Sequence, residues 1–217
     1  MIRPNVLVID AGLGNIGSVL AALQRQNCLS KRLQHPPTPE TTLSFTHAVL
    51  PGVGSFAAGM EALRLSGWES WIKELWCQAE RPFLGICLGM QLLATEGTEG
   101  SVEDGAIAGL DLIPGRVDRL KVDPDLVLPH VGWNALHWNT NSGALSCGLP
   151  DGGDMYFVHS YTFQPHEPLH RLAFSNYGYQ FTSVVGRGSC FGVQFHPEKS
   201  QRHGRRLLEN FLHLPAC

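Results

Sequence analysis

The stretch PFLGICLGMQLLA, residues 82–94, decides the reading of this chain. Its first part, Pro82 to Ile86, is a short apolar run, the pattern of a strand buried on both faces. Its last part, from Gly89 toward Thr95, begins a helix with no loop between. The junction is Gly85-Ile86-Cys87-Leu88-Gly89, a cysteine centred between two glycines. This is the cysteine counterpart of the G-x-S-x-G nucleophile elbow, where a sharp strand-to-helix turn lifts one side chain off the sheet. The glycines leave room for the strained backbone and for a substrate. The helix N-terminus offers free N–H groups and a partial positive charge, which favour a thiolate. The N–H of Leu88 points where an oxyanion would form. The plain alternative is a buried structural cysteine at a tight turn.

Upstream, strand-like and helix-like segments alternate. NVLVID (residues 5–10) and HAVLP (47–51) read as buried strands. Residues 14–27 carry apolar side chains at helical spacing, and the spacing predicts a further helix over 59–77. A proline-rich loop, HPPTPE, lies between the two. Such alternation predicts an α/β fold, a parallel sheet covered on both faces. In such sheets ligands bind beyond the carboxyl ends of the strands.

Two other segments end at that edge. Pro51-Gly52-Val53-Gly54 follows the strand HAVLP, and its flexible backbone can present the N–H of Gly52 or Val53 to an oxyanion. FGVQFHPEKS (191–200) runs a strand into His196-Pro197-Glu198. Pro197 has no N–H and ends the ladder, which leaves His196 at a strand end. Glu198 is near enough to hold the far ring nitrogen, fixing the tautomer and raising basicity. A cysteine nucleophile needs a base and an orienting group drawn from elsewhere in the chain, so each motif raises the weight of the other. The rest of the second half reads as short strands: LPHVGWNALHW, DMYFVHSYTF, RLAFSNYG and FTSVVGRG. LLENFLHL closes the chain as a helix.

The 217 residues fit one domain spanning 1–217. A formal net charge of −3 without a basic block argues against nucleic acid and against an anionic membrane. No apolar run approaches the ~20 residues that span a bilayer. The six cysteines are scattered without a CxxC pair, and the first residues reach Asp10 too soon for a signal peptide. Both point to a reducing, cytoplasmic compartment.

Three patterns invite other readings. Gly12 to Gly17 spells GxGxxG, but CLSKRLQH offers no acid for a ribose, so a tight turn or a partner-touching surface is the better reading. His166 to His170 spells HExxH, but Pro165 and Pro168 forbid the helix that motif needs. His130 and His159 are alternative bases, each in an apolar strand-like run where a histidine is more often structural. No metal or cofactor is expected, and Trp68 and Trp71 read as core.

GICLGMQ, with FGVQFHPE about a hundred residues later, resembles the class I (triad) glutamine amidotransferases. DAGLGNIGSV, PGVGSF, PHVGWN, YFVHSY and HPEKS narrow the resemblance to the glutaminase subunits of imidazole glycerol phosphate synthases of histidine biosynthesis, from about Val6 to Phe211. The resemblance implies a flavodoxin-like three-layer sandwich with a mostly parallel central sheet. It places Cys87, His196 and Glu198 on the triad, and Gly52, Val53 and Leu88 on the oxyanion elements. Gln91, Glu99, Ser160 and Tyr161 match positions that hold glutamine. Asn15, Trp133, Asn134, Tyr156 and Lys199 match the face toward a (β/α)8-barrel cyclase subunit, which consumes the ammonia. The chain departs from the pattern at Asp10-Ala11-Gly12, where the family has an aromatic residue. It departs again at ATEGTEG, where Glu96 rivals Glu99. On the residues alone, a glutaminase for another synthase, a different cysteine hydrolase and a non-catalytic paralogue are the alternatives.

Overall fold

In the computed structural model, residues 3–14, 16–101 and 105–215 are described. The first half runs β1 (Asn5–Ile9), α1 (Ile16–Gln24), β2 (Leu29–Leu33), α2 (Pro39–Thr42), β3 (His47–Gly52) and α3 (Phe56–Leu65). It continues through α4 (Trp68–Ser70), a π-helical turn over Trp71–Trp76, β4 (Phe83–Cys87) and α5 (Leu88–Gln91). The second half contains β5 (Glu96–Gly97), β6 (Ile107–Ala108), β7 (Gly115–Arg119), β8 (His130–Trp138), β9 (Gly153–His159) and β10 (Tyr161–Pro165). It closes with β11 (Arg171–Tyr177), β12 (Tyr179–Arg187), β13 (Cys190–Val193) and α6 (Gln201–Leu212).

A nine-stranded sheet has the order β2-β1-β3-β4-β13-β12-β11-β8-β9. The five strands from β2 to β13 pair in parallel, and the rest extend the sheet antiparallel. β3 and β4 are buried at every residue, as strands covered on both faces must be. Alternation along β1 sends Val6 and Val8 into one core with α1 and α6, and Leu7 and Ile9 into another with α3 and the tryptophans. Helices therefore cover both faces, and the three layers expected from the sequence are present. A smaller sheet, β10-β7-β5-β6, flanks the large one.

Four local features differ from the sequence reading. β2 has no apolar run because it is an edge strand with three of its five residues exposed, so hydrophobic pattern could not reveal it. The single helix over 59–77 is broken at Gly67, whose φ of +79° no helix accepts. It resumes as α4 and then the π-helical turn, which stacks Trp71 on Trp76 at 5.1 Å between ring centroids. The helix after Cys87 ends at Gln91, well short of Thr95. DMYFVHSYTF divides at Ser160, β9 joining the large sheet and β10 the small one. That break turns backbone from Val158 to Tyr161 toward the carboxyl end of β4. Among the described residues, no helix is long and apolar enough to cross a membrane.

Candidate active site

Cys87 ends β4 and caps α5 with φ +55° and ψ −110°, a conformation a non-glycine residue rarely adopts. Such strain costs on the order of 1–3 kcal/mol and persists only where packing enforces it. The enforcement comes from its two glycines. A Cβ on Gly89 would overlap the carbonyl oxygen of Leu50 on β3, and one on Gly85 would overlap that of Gly89. Only glycine lets β3, β4 and α5 approach this closely. Leu88 is the first residue of α5, so its N–H has no partner within the helix. Gly52, at the end of β3, lies in register with Cys87.

His196 follows the end of β13, and β13 is parallel to β4. Its N–H donates to the carbonyl of Tyr156, and its carbonyl accepts from the hydroxyl of Ser200 at 2.6 Å. The backbone under the ring is thereby tied to β9 and to the start of α6. The ring lines the same cavity as Cys87, and Oε1 of Glu198 lies 2.9 Å from its Nδ1. Nδ1 therefore carries the proton toward the carboxylate, and Nε2 is left for sulfur. Burial works against a charged ring here. The hydrogen bonds and charges of Cys87 and Glu198 outweigh it and raise the His196 pKa to about 9. The Glu198 side chain is only 2% exposed.

Cys87 and His196 open into a cavity of about 230 Å³. That is below the roughly 300–1,000 Å³ typical of drug-sized ligands, and suits an amino acid. Leu88, Gln91, Glu99, Ser160 and Tyr161 line it together with Val53. Burial pushes the Glu99 carboxyl pKa up, opposed by the backbone N–H of Phe56 that it accepts. Its rival Glu96 is engaged elsewhere, paired with Arg116 at 2.5 Å on the small sheet. Gln91 is buried and held, its Nε2 donating to the carbonyl of Tyr161 and to Oε1 of Gln194, both at 3.1 Å.

Gln194 did not emerge from the sequence. It is fully buried, and its Nε2 approaches the sulfur of Cys87 at 3.9 Å. Its position two residues before His196 was the available signal, because alternate residues of an extended chain share a face.

The N–H of Val53 donates to the carbonyl of Leu13 at 2.6 Å, so it is not free for another acceptor. The GxGxxG loop, which does not read as a nucleotide site, supplies that carbonyl. Gly14 has φ +126°, and a Cβ there would meet Cγ2 of Val53 at 2.5 Å. The glycine is what lets the loop lie against Val53.

His130 and His159 face each other across β8 and β9. Nδ1 of His159 lies 2.8 Å from the carbonyl of Tyr161, so it donates there. Its Nε2 lies 3.1 Å from Nδ1 of His130 and must accept from it. Burial lowers the pKa to about 3 for His159 and about 4 for His130. With both His159 nitrogens engaged and the ring neutral, no lone pair remains to compete with His196 as a base. His166 precedes and His170 ends a 3-10 turn over Pro168–His170, outside the cavity lining.

Trp133 and Tyr156 are register partners on β8 and β9, with rings 5.7 Å apart. Nζ of Lys199 lies 5.7 Å from the Tyr156 ring, and Asn134 is the next residue on β8. Trp133 is 47% exposed, and Val131 on the same strand is 56% exposed. Trp133, Tyr156 and Lys199 thus stand together with Lys199 at the cavity wall, whereas the side chain of Asn134 bonds to His130 and to the carbonyl of Asn176. The fifth residue assigned to a partner face, Asn15, lies outside the described residues.

The model for the family glutamine amidotransferase class-I matches residues 7–214. The imidazole glycerol phosphate synthase subunit HisH 1 of Prochlorococcus marinus is 50% identical over 98% of this chain and 98% of its own length. The subunit HisH of Rhodospirillum rubrum is 43% identical over 95% of this chain and 97% of that protein. A glutamine amidotransferase from Thermotoga maritima superimposes with a TM-score of 0.65 at 20% identity, covering 98% of this chain and 100% of that one. A chain in the structure of PurLQS from Thermotoga maritima superimposes at 0.68 and 14% identity, covering 97% and 98%. These two likenesses speak for the fold alone. With a family match across nearly the whole chain, the protein belongs to the class-I glutamine amidotransferases.

Proposed function

We propose that this chain hydrolyses glutamine and delivers the ammonia to a (β/α)8-barrel cyclase subunit that makes imidazole glycerol phosphate, in cytoplasmic histidine biosynthesis. The observation that carries this reading is that Cys87 and His196 open into one cavity, with Oε1 of Glu198 2.9 Å from Nδ1 of His196. The names and near-complete overlap of the synthase-subunit relatives support the choice of partner.

The sulfur of Cys87 attacks the side-chain carboxamide carbon of glutamine. The oxyanion is received by the N–H groups of Leu88 and of the Gly52–Val53 loop. His196, held by Glu198, gives its proton to the leaving nitrogen, and ammonia departs from a γ-glutamyl thioester. The imidazole then takes a proton from water, which cleaves the thioester to glutamate and restores the thiol. Glu99 faces the α-ammonium of glutamine, and Gln91, Ser160 and Tyr161 hold its polar groups. The Trp133–Tyr156–Lys199 cluster meets the barrel, so that ammonia leaves through a covered interface.

The bond from Val53 N–H to Leu13 gives the isolated chain a reason to be slow. One oxyanion donor is worth about 3–4 kcal/mol of barrier, and here it is engaged elsewhere. A small backbone rotation on docking frees it. Ammonia release from glutamine, measured with and without the liganded barrel, tests the whole reading. Expected are low activity alone, strong stimulation by the barrel, and none with Cys87→Ala. Substantial turnover by Cys87→Ala, or full activity without a partner, overturns it.

A further inference from the structure

Two runs of hydrogen bonds meet at the carbonyl of Tyr161 beside the site, and the two histidines in them serve no step of the reaction above. The first begins at Asn134, whose Oδ1 accepts from the N–H of Ala135, which orients the amide. One Nδ2 hydrogen goes to the carbonyl of Asn176 at 2.8 Å, and the other faces Nε2 of His130 at 3.4 Å. Nε2 of His130 is then an acceptor, so its proton is on Nδ1 and donates to His159. His159 in turn donates from Nδ1 to the carbonyl of Tyr161. That same carbonyl accepts from Gln91, Gln91 donates to Gln194, and Gln194 approaches the Cys87 sulfur. Every hydrogen in the series is assigned by its neighbour, so no ring can change tautomer alone. The rings are also packed tightly. His130 stacks on Tyr177 at 4.2 Å and on Phe157 at 5.2 Å.

We propose that His130 and His159 are positioning residues, a tautomer-locked relay. Through it, a partner seated at Trp133 and Asn134 sets the placement of Gln91 and of the Cys87 sulfur. The relay rests on the reading of that face as the barrel's docking surface. Movement of Asn134 withdraws a donor from His130, and the loss passes to His159, to the Tyr161 carbonyl and to Gln91. Buried neutral rings suit this role, because they pass on hydrogen-bond direction without placing a second positive charge beside His196.

The experiment compares the wild-type chain with His130→Phe, with and without the barrel. Phenylalanine fits the aromatic stack and leaves the surface residues unchanged. Barrel affinity is read by titration, kcat and KM for glutamine separately, and the histidine rings by nitrogen-15 spectra. Loss of the two hydrogen bonds of His130, with His159 and with Asn134, predicts a fall of about tenfold or more in barrel-stimulated kcat/KM for His130→Phe, with barrel affinity within about twofold of wild type. In the wild type, both rings carry the proton on Nδ1, and both resonances shift when the barrel docks. That measurement stands whether or not the variant folds. A variant stimulated as fully as wild type, or ring resonances that ignore the barrel in a stimulated wild type, overturns the relay alone. A wild type that the barrel neither binds nor stimulates overturns the functional reading and the relay together.

Discussion

Replacing Glu198 with glutamine removes a charge and preserves the volume of a side chain that is 2% exposed. His196 owes its pKa of about 9 to Cys87 and Glu198, which together overcome burial. A hydrogen bond to a charged partner contributes about 1.5–3 kcal/mol, and one pKa unit corresponds to about 1.36 kcal/mol. Losing the carboxylate therefore lowers the His196 pKa by about 1–2 units, to roughly 7–8. The imidazolium delivers the proton to ammonia, so activity is lost as pH rises through the pKa of His196. The alkaline limb of kcat/KM sits near 9 in the wild type and moves down by that shift in Glu198→Gln. At pH 8 the variant is about two- to tenfold slower from protonation alone. Stability follows the same sign. A pKa raised above the unfolded value of about 6.5 stabilises the fold below that pH, and the contribution disappears as pH rises through about 9. Wild type and variant therefore converge in melting temperature above pH 9. The assay is a pH series of barrel-stimulated glutaminase rates. An alkaline limb that stays near 9 in Glu198→Gln refutes the assignment of the carboxylate.

Gly89→Ala forces a Cβ into the carbonyl of Leu50, where backbone cannot yield, and costs at least about 2 kcal/mol of stability by denaturant titration. A variant as stable as wild type means that the elbow packs otherwise. Glu99→Gln raises KM for glutamine about tenfold, the loss of one charge-assisted bond, whereas Glu96→Gln leaves it near wild type. The reverse order would return the substrate role to Glu96. Burial holds His47 and His130 at about 4 and His159 at about 3. These depressed values favour the fold above pH ~6.5, and stability falls below that by up to roughly 3 kcal/mol per histidine as pH approaches 4. Unfolding free energies that stay flat between pH 6.5 and 4 contradict the neutral rings.

The parallel half of the sheet was legible because β1, β3 and β4 are continuous apolar runs, and burial on both faces requires that pattern. β2 was not, because an edge strand keeps polar residues against solvent. Gly67 is a small residue that the helical period cannot see past, and only its positive φ marks the break. The residues proposed as the triad stood out for a local reason. Glycines around Cys87 and Pro197 beside His196 are demands of their own backbone. Glu99 and Glu96 were not separable in ATEGTEG, since both are acids in one loop. Their fates diverge because Arg116, on β7, takes one of them.

Residue identity alone thus singled out Cys87 and His196 as candidate nucleophile and base and the edge of the sheet where they stand, because turn geometry and strand burial are written in nearest neighbours. Folding settled what depends on distant partners: the carbonyl of Leu13 that occupies Val53, the tautomers of His130 and His159, and the place of Gln194 beside the sulfur. A hydrogen bond's direction is set by the group across from it. That group is chosen by the packing of strands far apart in the chain.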